Sequence, residues 1–273
     1  MQTPYFQSNN KDFTLYQGDC LSALDNANQP VNMIFADPPY FLSNDGLTVK
    51  NGKVQSVNKG KWDKFTTDTE TYDFTYEWLA KAREKMADNA TIWISGTHHN
   101  IFTLGTILPQ LGFKILNVIT WEKTNPPPNF SCRFFTHSTE FIIWARKHPK
   151  VPHYFDYDLM KKLNNDKQMK DVWRLPAIGK WEKGCGKHPT QKPLPLLAQI
   201  ILASTQKEDL VLDPFTGSST TGIAANVLER NFIGIDKEDE FMKLSEDRYH
   251  DLQQEGRKQF FKQHFNRLLN KAL

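Results

Sequence analysis

Leu210-Val211-Leu212-Asp213-Pro214-Phe215-Thr216-Gly217-Ser218-Ser219-Thr220 is the stretch on which the fold turns. Three apolar residues make a short buried strand, an acid closes it, and small residues lead into a helix over 220–228. In an open parallel sheet, ligands gather at the carboxyl ends of strands, and small side chains let the backbone pass close to them. The turn lacks the Gly-Lys-Ser/Thr ending that holds a triphosphate and is not a full dinucleotide fingerprint. By itself it is also what a tight turn in any α/β protein looks like. The next strand, Phe232-Ile233-Gly234-Ile235-Asp236, again ends in an acid. A carboxylate there can accept hydrogen bonds from both hydroxyls of a ribose, or cap the following helix. Loop, helix, strand and terminal acid together point to a nucleotide-like cofactor far more specifically than any one part.

Outward from this core, strands are predicted at 13–16, 31–36, 91–95, 114–121 and 139–145, besides 210–212 and 232–235. Helices are predicted at 76–86, at 104–111 (closed by Gly112), at 194–204 and from 239 onward. Strand and helix alternate, which indicates a mostly parallel sheet covered on both faces. Two stretches break the alternation. Residues 43–69 are rich in Asn, Asp, Gly, Lys and Thr, and 148–187 are irregular, basic and aromatic. Loops of that length inside a compact domain are functional or disordered.

The strand at 31–36 runs straight into Asp37-Pro38-Pro39-Tyr40. Two consecutive prolines fix φ and remove two amide donors, so the loop is stiff and its carbonyls point outward. Asp37 and the Pro38 carbonyl can both accept hydrogen bonds from one –NH2 group, and Tyr40 offers a flat face to a ring. Without the loop at 213–219, a proline-rich turn would be an adequate account of these residues.

Length and composition agree with one large α/β domain: 273 residues, 39% hydrophobic and 24% charged. No stretch is apolar for long enough to cross a bilayer, and Met1-Gln2-Thr3-Pro4 has no signal-peptide character, so a cytoplasmic location is expected. Cys20, Cys132 and Cys185 are scattered and odd in number, which argues against a zinc site or a disulfide framework. The net charge of +3 permits a nucleic-acid partner without requiring one. Basic clusters at 161–162, 180–192 and 257–271 read, on charge alone, as solvated surface.

Taken together, these motifs resemble those of amino-methylating DNA methyltransferases of the β group, in that group's permuted order. The Asp-Pro-Pro-Tyr loop comes first, the specificity region next and the cofactor loops last. Gln17-Gly18-Asp19-Cys20 and His188-Pro189-Thr190-Gln191-Lys192-Pro193 match as well, and the resemblance covers nearly the whole chain. It implies a Rossmann-like, mostly parallel seven-stranded sheet with helices on both faces, circularly permuted, with a small target-recognition insertion. Residues 1–147 would be the catalytic half, 148–187 the insertion and 188–273 the cofactor half.

The implied cofactor is S-adenosylmethionine, and roles follow at matching positions. Asp213, Phe215, Gly217 and Ser219 would line its methionine portion, Asp236 would hold the ribose, and Asp19 would lie near the adenine ring. Thr190 and Lys192 would address its carboxylate. Asp37, Pro38, Pro39 and Tyr40 would make the catalytic loop, with Asp37 also beside the cofactor. One departure stands out: the family commonly has glycine where this chain has Ser219. Serine tolerates positive φ less well, so the loop is expected to sit slightly differently.

Aspartate at the head of the catalytic loop implies N6 of adenine, since N4-cytosine enzymes more often have serine there. Trp93-Ile94-Ser95-Gly96, Lys123-Thr124-Asn125-Pro126, the run Cys132-Arg133-Phe134-Phe135-Thr136-His137-Ser138-Thr139-Glu140, and Lys167-Gln168-Met169-Lys170-Asp171-Val172-Trp173 carry a closer similarity. It is to the second adenine methylases of DpnII-type restriction systems, which implies GATC as target and a restriction-modification role. The chemistry needs neither a metal nor a covalent enzyme intermediate. A C5-cytosine methylase would need a Pro-Cys nucleophile, and no cysteine here follows a proline.

The expected partner is DNA, either double-stranded with the adenine turned out of the stack or single-stranded. Arg133, Lys167, Gln168, Lys170 and Arg174 are candidates for base readout, and Lys61 and Lys64 for phosphates. Singly, each such residue is more often just a solvated side chain. Phe261, Phe265, Leu268 and Leu269 have helical spacing and would cover their own domain or pair with a second subunit, the resemblance implying a homodimer. A protein-glutamine methyltransferase would have Asn-Pro-Pro-Tyr and an unpermuted order. A non-catalytic DNA-binding module would have broken motifs, whereas Asp37, Tyr40, Asp213 and Asp236 are intact.

Overall fold

A strand covered on both faces has to be apolar nearly throughout. Phe13–Gln17, Val31–Ala36, Leu210–Asp213 and the second half of Met86–Gly96 meet this condition and are almost continuously buried. The computed structural model describes residues 2–39, 67–126, 128–129, 132–186 and 188–268, with the backbone of 47–50 and 53–56. It places these strands in one nine-stranded mixed sheet. In chain order the strands are β1 (Phe6–Gln7), β2 (Phe13–Gln17), β3 (Val31–Ala36), β4 (Leu47–Lys50), β5 (Lys53–Ser56), β6 (Met86–Gly96), β7 (Lys114–Lys123), β8 (Thr139–Arg146), β9 (Val172–Leu175), β10 (Leu210–Asp213) and β11 (Asn231–Asp236).

Across the sheet the order is β1-β2-β11-β10-β3-β6-β8-β7-β9, while β4 and β5 form a separate hairpin. From β2 to β6 every neighbour is parallel; β8 runs antiparallel to both β6 and β7. The seven predicted strands are therefore present and contiguous, but the sheet has nine, not seven. The two extra strands lie at its edges. A two-residue β1 carries no readable periodicity, and β9, four residues with an exposed–buried alternation, sits in the polar stretch 148–187.

The helices are α1 (Cys20–Ala23), α2 (Asp68–Lys85), α3 (Ile101–Gln110), α4 (Tyr157–Leu163), α5 (Leu194–Ser204), α6 (Thr220–Val227), α7 (Asp239–Gln253) and α8 (Arg257–Leu268). A reciprocal capping box between Thr67 and Glu70 starts α2 earlier than its apolar pattern suggests. Beyond α3, Gly112 takes φ +79°, the left-handed conformation that ends a helix most cheaply when no Cβ is present.

Two apolar clusters fill the two faces of the sheet. One joins α1, α2 and α3 to the strands; the other joins α4 through α8 to the opposite face. Every residue of α5 is buried, as a helix apolar all round must be, because α4, α6 and α8 pack around it. Phe261 and Phe265 of α8 belong to this second cluster, so this part of the tail's apolar stripe covers its own domain. Leu269 lies outside the described residues. Part of 148–187 is scaffold: Met160, Leu163, Trp173 and Leu175 are core residues, and β9 pairs with β7. Among the described residues no helix is long and apolar enough to cross a membrane.

Candidate active site

The carboxyl ends of β2, β11, β10 and β3 converge on a cavity of about 300 Å³. It is lined by Asp19, Asp37, Pro38, Pro39, Thr190, Lys192, Asp213, Phe215, Gly217 and Asp236, ten of the positions singled out from the sequence. Residues far apart in the chain meet here because β3 pairs in parallel with β10, Met33 opposite Val211 and Ile34 opposite Leu212. Tyr40, Lys61 and Lys64 lie outside the described residues.

Asp213 ends β10 almost fully buried. Its Oδ1 accepts from the Phe215 amide at 3.0 Å and its Oδ2 from the Thr221 hydroxyl at 2.6 Å. Burial pushes its carboxyl up to about 7 against those two hydrogen bonds, with the charges of Asp37 and Asp236 adding to the rise. Asp236 is also held above the usual carboxylate range by burial, while accepting from Gly217 N at 2.9 Å and Glu238 N at 3.0 Å. It both lines the cavity and ties the start of α7. Asp19 caps α1 by accepting from Leu21 N at 2.9 Å.

The loop between β10 and α6 turns on two left-handed residues, Gly217 at φ +50° and Ser219 at φ +51°. A Cβ on Gly217 would come within 3.2 Å of the His188 ring. Ser219 departs from its expected role: it does not line the cavity but lies fully buried beneath it, its Oγ 3.0 Å from Thr216 Oγ1. The serine adopts the backbone conformation that glycine would serve there, so its side chain points into the scaffold rather than toward a ligand.

The sequence does not reveal what holds this loop in place. Ser245 donates to the Gly217 carbonyl at 2.9 Å, and Arg248 donates to the Ser218 carbonyl and, at 2.9 Å, to Thr220 Oγ1. Both come from α7, where they read as ordinary polar positions. Burial lowers the Arg248 guanidinium to about 10. Glu182, raised by burial, accepts from Gly179 N at 2.8 Å and Leu194 N at 2.6 Å, fixing the segment that enters α5.

On the other side of the cavity Asp37 follows β3, its Oδ2 2.5 Å from Lys192 Nζ. Lys192 is buried and also stands 3.7 Å from Glu140 Oε2 on β8, whose Oε1 is 2.5 Å from Lys123 Nζ. Glu140 and Lys123 form part of the site's charge network, although neither was assigned a role from the sequence. Thr190 Oγ1 lies 3.2 Å from His188 Nδ1, and His188 packs edge-on against Phe241 at 4.2 Å. The Phe215 ring is fixed edge-on against Trp78, 5.2 Å between centroids.

Of the residues suggested for base readout, Arg133, Lys167, Gln168, Lys170 and Arg174 are all exposed, and none lines the cavity. Arg174 pairs with Glu122 at 3.2 Å, at the carboxyl end of β7 and so on the same edge of the sheet as Asp37. Beside it the segment between β7 and β8 exposes Phe134 and Phe135, and its His137 ring stacks on His98 at 4.7 Å.

Over residues 31–247 the chain matches the DNA methylase family. It belongs to that family and is a DNA methyltransferase. It is 65% identical over 250 residues to the type II methyltransferase M2.MboI of Moraxella bovis, spanning 91% of this chain and 92% of that one. The type II methyltransferase M2.DpnII of Streptococcus pneumoniae is 53% identical with the same coverage. Among solved structures, a complex of M1.HpyAVI with S-adenosylmethionine superposes with a TM-score of 0.67 at 30% identity, over 87% of this chain and 98% of that one. The cytosine-N4-specific PvuII DNA methyltransferase gives 0.71 at 19% identity over 99% and 96%, a likeness of fold.

Proposed function

We propose that this chain transfers a methyl group from S-adenosylmethionine to N6 of adenine in DNA, at GATC, as the modifying arm of a type II restriction-modification system. The observation that carries the reading is the meeting of Asp37-Pro38-Pro39 with Asp213 and Asp236 in one cavity at the carboxyl edge of the sheet. The cavity's acids and its small-residue loop suit a ribose-bearing cation. When bound there, S-adenosylmethionine supplies a sulfonium methyl as the electrophile. Asp236 would hold the ribose, Asp213, Phe215 and Gly217 the methionine portion, Asp19 the adenine side and Thr190 the carboxylate. Lys192, already paired with Asp37, would share its charge between that acid and the cofactor carboxylate.

The amino nitrogen of adenine is a poor nucleophile because its lone pair is delocalised into the ring. Asp37 and the Pro38 carbonyl accept its two N–H bonds, which favours a pyramidal nitrogen whose lone pair can attack. Much of the rate then comes from positioning two bound reactants. Asp37 need not remove a proton first; the methylated nitrogen is cationic and sheds its proton to Asp37 or water. Tyr40 would stack on the turned-out base. The exposed residues of 132–174 would read the flanking sequence, with 148–187 as the target-recognition insertion of a permuted methyltransferase. Dimerisation would have to use a face other than the buried Phe261 and Phe265 stripe.

The test is labelled methyl transfer to GATC-containing duplex and single-stranded DNA, followed by base analysis. N6-methyladenine is expected, with Asp37→Ala abolishing transfer while cofactor binding persists. N4-methylcytosine, or transfer to RNA or protein with DNA inert, would overturn the reading.

A further inference from the structure

Lys123, Glu140, Lys192 and Asp37 form a row of alternating charges. They come from β7, β8, the segment before α5 and the end of β3, and they end at the acid of the catalytic loop. Glu140 sits in the middle. Its Oε1 meets Lys123 at 2.5 Å, while its buried Oε2, which makes no hydrogen bond, lies 3.7 Å from Lys192 Nζ. Taking a carboxylate out of water costs several kcal/mol unless charges of opposite sign compensate it. From Ile142 onward β8 is apolar and buried, and the core it enters does not call for an acid. The useful property of Glu140 is the direction in which it pulls Lys192.

We propose that Glu140 is a positioning residue for methyl transfer: it holds the Lys192 ammonium at Asp37, with Lys123 sharing its charge from behind. This rests on the reading of Asp37 as acceptor of the substrate amino group. With one oxygen engaged by a fixed ammonium, the Asp37 carboxylate cannot turn about its own bond, and its orientation toward the amino group is set before substrate arrives. The charged groups facing Lys192 are Asp37 from β3 and Glu140 from β8. Asp213 and Asp236 line the same cavity from β10 and β11, and His188 lies on its own segment. Burial pushes the Lys192 ammonium down, but Asp37 and Glu140 outweigh it and keep the group above the ordinary lysine value.

Removing Glu140 and removing Lys123 should act on Lys192 with opposite sign. Glu140→Gln keeps the shape and deletes the anion, so Lys192 loses its proton at lower pH. Lys123→Met deletes a competing cation, so Glu140 serves Lys192 alone. Single-turnover methyl transfer to duplex DNA, measured from pH 7 to 10 with S-adenosylmethionine affinity followed by calorimetry, reads both. For Glu140→Gln the rate should fall about tenfold at pH 7.5 and a further tenfold by pH 10, with the loss of cofactor affinity smaller than the loss of rate at each pH. Lys123→Met, whatever its rate at pH 7.5, should lose no more of that rate by pH 10 than the parent chain does.

A Glu140→Gln profile superimposable on the parent's, or alkaline losses of equal size in both variants, would overturn the proposal. Circular dichroism checks the fold, and if Glu140→Gln unfolds, an alkaline loss in Lys123→Met alone still refutes the idea. An inactive parent chain would instead refute the reading of Asp37.

Discussion

Replacing Asp213 by asparagine should make the cofactor-free protein more stable while weakening cofactor binding. The folded chain holds this carboxyl at about 7, against 3.8 for an unperturbed aspartate, because it is buried at the end of β10. Between those two values the folded state binds the proton more tightly than the unfolded state does. Stability is therefore fully present below about pH 4 and is lost as pH rises toward 7, where the buried group must ionise. At 1.36 kcal/mol per pH unit, the loss reaches about 4 kcal/mol above pH 7. Asparagine is neutral throughout and keeps an acceptor for Phe215 N, but it cannot accept from Thr221 as well, a loss of about 1 kcal/mol. The net gain at pH 8 is about 3 kcal/mol, or about 5 °C in Tm for a chain of this size. Differential scanning calorimetry without cofactor, at pH 5 and pH 8, measures it. The gain should shrink sharply at pH 5, where the wild-type carboxyl is already protonated. A variant no more stable than wild type at pH 8, or a gain independent of pH, would refute the reasoning.

Gly217→Ala places a Cβ at φ +50° and 3.2 Å from His188, so it should cost about 1–2 kcal/mol and raise the KM for S-adenosylmethionine several-fold, measured by initial rates. Arg248→Leu frees the loop carbonyl of Ser218 and should raise that KM by about tenfold with a smaller change in kcat. Phe265→Ala, at a fully buried site, should lower stability by about 3–5 kcal/mol without altering the oligomeric state seen by light scattering. Asp37→Asn should cut the methyl-transfer rate by at least about 100-fold in a rapid-quench assay while calorimetry shows the cofactor still binding.

What the sequence conveys about this protein follows the range of the forces involved. Strands such as β3 and β10 are written as local apolar runs, and the acids ending them stand out because a charge next to a buried strand is costly unless used. The two loops that line the cavity, at 37–39 and 213–217, were legible for that reason. Partners supplied by tertiary contact were not. Arg248 and Ser245 sit among polar neighbours on α7 and become anchors only when α7 docks beside the β10–α6 turn. Lys123 and Glu140 are close only because β7 and β8 pair antiparallel, with Glu140 opposite Trp121. Ser219 shows the converse: its departure from glycine was visible, but only the backbone angle shows that it turns the loop rather than lining the cavity.

The depth at which the two loops face each other is fixed by strand register rather than by the loops themselves. Ile34 lies opposite Leu212, so Phe35 is level with Asp213 and Asp37 stands two residues further along the parallel direction, about 6–7 Å at the rise of an extended chain. A slip of one residue between β3 and β10 would exchange the faces on which Met33 and Ile34, both fully buried, are packed, and each would then meet a cluster shaped for the other. The stiff prolines then carry that spacing into the cavity without adding freedom of their own. The proposed clamp at 37–39 and the proposed cofactor loop at 213–219 are thereby held at a set offset by the sheet, so core substitutions that shift β3 against β10 should damage transfer rate before they damage cofactor affinity.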